Sequence, residues 1–149
     1  MLKAKIEADL KTAMLSGNAD VVGTLKMLKS AILYKEVELG NREQGLSDDQ
    51  VIEVLSKEAK KRLEASEMYK NADRVTQAAT EKSEYDIIME YLPKQLSDEE
   101  IMEIVDELLQ SVPGATMQDI GRIIGAVKVK AGPSADGSRI ATIVKQKLS

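Results

Sequence analysis

Apolar positions recur at a spacing close to 3.6 along almost the whole chain, which puts one stripe on each helix face. Leu2, Ile6, Leu10 and Met14 step by four and define a first helix, ended by Gly17 and Asn18. Asp20 is positioned to cap a second helix, with Val21, Leu25, Leu28 and Ile32 on one face, running towards Leu39 and a polar loop at 40–45. The run Ser47-Asp48-Asp49-Gln50 has the Ser-x-x-Gln spacing of a capping box. It opens a long helix with Ile52, Leu55, Ala59, Leu63 and Ser66 inward, Tyr69 at its end, and Lys57, Lys60, Lys61, Arg62 and Glu64 outward. After the punctuation at 71–73, a fourth helix passes through Ala78, Tyr85, Ile88 and Leu92, with Glu81, Glu84 and Glu90 exposed.

Pro93 cannot continue that helix, since an interior proline costs ~3 kcal/mol. A linker is therefore expected at 93–96, dividing an N-terminal helical domain, residues 1–95, from a C-terminal one, residues 96–149. Ser97-Asp98-Glu99-Glu100 is a second capping box, opening a helix with Ile101, Ile104, Val105 and Leu108 that Pro113-Gly114 closes. Thr116 is expected to cap the next helix, with Met117, Ile120, Ile124 and Val127. Gly132-Pro133 breaks the chain again before a last helix, from about Ala135, with Ile140, Ile143, Val144 and Leu148. No strand-like alternation runs for five residues. The reading is all-α: four helices, then a small three-helix bundle that at this size is only marginally stable alone.

Composition narrows the chemistry. The 149 residues include no Cys, His, Trp or Phe, and only four Tyr. A thiolate nucleophile, an Fe–S cluster, a zinc or copper site and every His-based triad lack their side chains. The acidic group Glu81, Glu84, Asp86, Glu90 is accompanied by no nucleophile, so a solvated helix face is the better reading than acid–base catalysis. No run of 18 apolar residues predicts a membrane span, and the N-terminus lacks a signal-peptide core, so a soluble, cytoplasmic protein without membrane or metal is expected.

Net charge is −4, yet the charge is uneven. Residues 96–114 carry six acidic and no basic groups; residues 115–149 carry six basic groups against two acidic. The last two helices thus hold Arg122, Lys128, Lys130 and Arg139 as candidate phosphate-facing groups, against the alternative of an ordinary solvated face with lysines at helix C-termini. Gly121 and Gly125 lie four apart, and each costs its helix about 1 kcal/mol relative to Ala. Two readings account for them: close approach of another backbone within the fold, or a face where a phosphate–sugar backbone comes near. Aromatic stacking groups are missing there, so any RNA contact would be to backbone and shape. The basic run 57–62 is interleaved with Glu53, Glu58, Glu64 and Glu67 and reads as a salt-bridged, solvated face.

Two segments carry a wider resemblance. Tyr91-Leu92-Pro93-Lys94-Gln95-Leu96-Ser97-Asp98-Glu99-Glu100 and Asp119-Ile120-Gly121-Arg122-Ile123-Ile124-Gly125 resemble the GatB/YqeY family. Support comes from Ala135-Asp136-Gly137 and from Asp9-Leu10-Lys11-Thr12-Ala13-Met14. That family joins free-standing YqeY-like proteins with the C-terminal tail of the B subunit of tRNA-dependent amidotransferase, and the resemblance covers essentially the whole chain. It implies a larger helical domain followed by a three-helix one. It also implies a link to the tRNA-dependent amidotransferase. Together with the basic, glycine-bearing last two helices, that link leads to an expected accessory role with tRNA or with an amidotransferase or translation component. In that role Arg122, Lys128, Lys130 and Arg139 face phosphates, and Gly121 and Gly125 permit close approach. The ATP- and metal-binding domain of that subunit has no counterpart here, so no cofactor and no catalytic residue follow, although the family label is that of a glutamine-dependent carbon–nitrogen ligase. A protein–protein adaptor with no RNA role is the alternative. Many relatives carry a basic residue after the glycine of the last turn, where this chain has Gly132-Pro133-Ser134.

Overall fold

The computed structural model describes residues 1–149 and contains helices but no strand. The helices are α1 (Leu2–Ser16), α2 (Ala19–Glu38), α3 (Asp48–Asn71), α4 (Val75–Met89), α5 (Asp98–Ser111), α6 (Ile120–Ala131) and α7 (Gly137–Leu148). Single 3-10 turns lie at Met117–Asp119 and Gly132–Ser134. The chain forms two compact units, Met1–Leu92 and Pro93–Ser149, each with its own apolar core.

In the first unit, α1 packs on α2 and α3 pairs extensively with α4. Ile6, Leu25, Leu28, Ile32, Leu55 and Ile88 are essentially inaccessible at its centre. Gly17, with φ 73, takes the left-handed conformation that ends α1 without steric cost. The cap of α2 is Asn18, whose side chain accepts the Val21 amide hydrogen at 3.4 Å, and not Asp20. Asp20 falls in the first turn instead, where a carboxylate is favoured by the helix dipole. Ser47 and Gln50 do form a capping box.

Along α3 the buried stripe is Val51, Leu55, Ala59 and Ser66; Ile52 is half-buried and Leu63 exposed. The stripe is rotated from the expected one because α4 covers the Arg62 side of the helix. Arg62 is consequently not an outward group: it is only 13% exposed, with Glu58 at 2.8 Å, Glu84 of α4 at 3.5 Å and the Met27 sulfur in contact. Lys57 and Lys61 are solvated and pair with Glu53 and Glu58 on their own helix.

Long-range polar contacts fasten α1, whose Leu2 amide donates to Asp48 of α3 at 3.0 Å. The Glu36 carboxylate is 1% exposed and receives both of its close contacts, at 2.9 and 3.1 Å, from the Lys3 ammonium. The Tyr91 hydroxyl donates to Asp9 at 2.6 Å, and the Lys5 ammonium lies 4.7 Å from the Tyr91 ring centre. Burial, and then the adjacent Asp9 carboxylate, push the Tyr91 phenol well above its ordinary range.

In the second unit, α5, α6 and α7 pack mutually around Ile101, Val105, Val127, Ile140 and Val144. The Ser97–Glu100 capping box opens α5. Thr116 caps the 3-10 turn rather than an α-helix, in a reciprocal pair with Asp119. That turn rotates the following face, so that α6 buries Ile123, Val127 and Ala131, whereas Met117 stays exposed. The last helix begins at Gly137, two residues later than the spacing of apolar positions predicts, because Ala135 is extended and buried before it.

Candidate partner-binding face on α6

The exposed positions of α6 are Gly121, Arg122, Gly125, Lys128, Val129 and Lys130. The first five fall at i, i+1, i+4, i+7 and i+8, so they form one stripe along the helix. A Cβ built on Gly121 or on Gly125 meets nothing within 4 Å. No backbone of this chain approaches the bare face, which removes intramolecular close packing as the reason for either glycine.

The basic groups divide. Arg122 is 68% exposed and is steadied by Asp119 at 3.4 Å, one turn back. Lys128 folds across the start of α7: a Cβ on Gly137 would lie 2.7 Å from its Cε and 2.9 Å from its Nζ. Lys130 is bound to Glu107 of α5. Arg139, at the start of α7, donates to Asp98 at 2.7 Å and to the Leu96 carbonyl at 2.9 Å. The Leu96 amide in turn donates to Ser134 at 2.8 Å. Gly132, with φ 62 and ψ −147, supplies the backbone conformation that turns Ser134 towards Leu96. Arg139 and Lys130 therefore face the acidic α5, while Gly121, Arg122, Gly125 and Lys128 share the open stripe.

Val129 belongs to this face and is 86% exposed. Its signal in the sequence is its place four residues beyond Gly125, outside the buried period of Ile123, Val127 and Ala131. No group of three or more Asp or Glu side chains converges in a way that could hold a metal ion. No helix is long and apolar enough to cross a membrane.

The chain is thus all-helical, in two compact units, with a bare glycine face on α6. The chain belongs to the YqeY family: the model described as "Yqey-like protein" matches residues 3–148. It is also similar to the uncharacterised protein C22F3.15 of Schizosaccharomyces pombe, at 33% identity over 99 residues, which is 65% of this chain and 76% of the relative.

Proposed function

We propose that this protein is a non-catalytic, cytoplasmic accessory module that binds tRNA through the α6 stripe, in the manner implied by its likeness to the amidotransferase B-subunit tail. Its two units act as separate domains divided at residues 93–96, and the second carries the contact. The observation that carries this reading is the pair of open glycines, Gly121 and Gly125, set between Arg122 and Lys128. Together the two glycines cost α6 about 2 kcal/mol relative to alanines. Nothing within the fold offsets that cost, whereas a phosphate–sugar backbone lying along the bare helix surface would. Arg122 and Lys128 then supply phosphate contacts at its edges.

Titration of labelled tRNA with the purified protein at low salt tests this. Binding in the micromolar range that weakens when Arg122 and Lys128 are both changed to Ala supports it; no binding in that range refutes it.

A protein partner at the same face, such as an amidotransferase component, is favoured by one observation. Val129 is a large apolar side chain almost fully exposed within the stripe. Recovery of a stable partner after nuclease treatment, lost on Val129→Glu, would support that second reading.

A further inference from the structure

Three ion pairs join α5 to the two basic helices: Arg139–Asp98 at 2.7 Å, Lys147–Asp106 at 3.1 Å, and Lys130–Glu107. Arg139 is held a second time, by the Leu96 carbonyl, and Lys147 lies in the last turn of α7. Lys130 differs from both. It stands in the last turn of α6, next to Val129 and two residues beyond Lys128, and both of those belong to the open stripe.

The Lys130–Glu107 pair is also the most exposed of the three, at 52 and 65%. A pair in that setting is held loosely and is screened by salt. A lysine ammonium sits on a flexible four-carbon stem, so it can leave one anion for another within its reach. A phosphate at the Val129 edge of the stripe and the Glu107 carboxylate therefore compete for one ammonium. A polyanion that takes Lys130 also meets the carboxylate left behind, and that repulsion offsets the gain from the new contact.

We propose that Glu107 restrains polyanion binding at the α6 stripe by holding Lys130, so that the stripe works with two cations where its helix carries three. Glu107 thereby sets how tightly the phosphate backbone of tRNA is held and how steeply salt weakens it. This rests on the reading of the stripe as a tRNA-binding face.

Titration of labelled tRNA between 50 and 200 mM salt with full-length Glu107→Gln protein tests it, circular dichroism establishing native helicity in each variant. Release of Lys130 adds one phosphate contact, so the loss of affinity across that range should be about 3-fold greater than in the unaltered chain. Affinity at 50 mM salt should rise. Lys130→Ala alone should change little, and Glu107→Gln/Lys130→Ala should lose the gain. Glu103→Gln removes an exposed α5 carboxylate outside the three pairs and controls for a general change in charge. It should leave the slope unaltered. tRNA binding by the unaltered chain with no response to Glu107→Gln overturns this proposal alone. So does a gain that persists without Lys130, or one that Glu103→Gln reproduces. Failure of the underlying reading looks different: the unaltered chain and Glu107→Gln alike then leave tRNA unbound, which overturns both.

Discussion

The Arg139 guanidinium donates at once to the Asp98 carboxylate, at 2.7 Å, and to the Leu96 carbonyl, at 2.9 Å. It ties the start of α7 to the segment that enters α5, across 41 and 43 residues of sequence. A side chain whose residue type and local charge suggest a phosphate contact is thus engaged inside its own unit. Arg139→Ala should lower the stability of the second unit by about 1 kcal/mol, the value of a partly exposed charge-assisted contact. Urea unfolding followed by circular dichroism measures the change, and faster hydrogen exchange at the Leu96 amide would locate it.

Gly121 and Gly125 yield the opposite prediction. Because an added Cβ meets nothing at either site, Gly121→Ala and Gly125→Ala should each stabilise the protein by about 1 kcal/mol. The double variant should nevertheless bind tRNA less tightly, since its methyl groups hold the backbone of the partner away. Thermal unfolding and tRNA titration on the same preparation separate the two effects.

Lys3 and Glu36 predict a loss of stability in the first unit. Glu36 is buried and its close charged contact is Lys3, so Lys3→Met strands a carboxylate in the core. The expected cost is about 2–3 kcal/mol, below the full range for a broken buried pair because Lys3 itself is about one-third exposed. Lys3→Met/Glu36→Gln should recover part of it, as removing both charges leaves no unpaired ion. Denaturant unfolding of the two variants reads this directly.

Tyr91 predicts a pH dependence at the alkaline end. Its phenol is raised in the folded protein, so the folded state holds that proton more tightly than the unfolded chain does. The resulting stability is fully present below the unfolded tyrosine pKa, roughly 10, and is lost as pH rises from there through the folded value. In Tyr91→Phe this alkaline loss should shrink, at a cost of about 1 kcal/mol at neutral pH from the missing bond to Asp9. Chemical unfolding at pH values on both sides of the tyrosine range checks both parts.

Local rules made part of this molecule legible in its sequence. The Ser47–Gln50 and Ser97–Glu100 boxes and the Gly17 stop depend on residues within one helical turn, and their geometry follows from spacing alone. The interior of α3 does not, because Arg62 is drawn inward by Glu84 of another helix and by packing on Met27. Likewise Asn18 outcompetes Asp20 for the cap of α2 through a difference of two residues that composition does not decide.

The candidate site divides along the same line. The co-facial placement of Gly121, Arg122, Gly125 and Lys128 follows from helical spacing. The pairing of Lys130 with Glu107 and of Arg139 with Asp98 joins residues 23 and 41 apart, which a regional charge count cannot show. Two of the four cations thus stand on the open stripe, and the other two pair with α5.

That difference fixes the most direct test of tRNA binding by the α6 stripe: the affinity for labelled tRNA measured across a salt series. With Arg122 and Lys128 alone neutralising phosphates, affinity should fall about 7–12-fold between 50 and 200 mM salt, where four contacts would give about 50–150-fold. The slope should survive Arg139→Ala and flatten in Arg122→Ala/Lys128→Ala. A flat response in the unaltered protein, or no binding at micromolar concentration in low salt, would contradict the account.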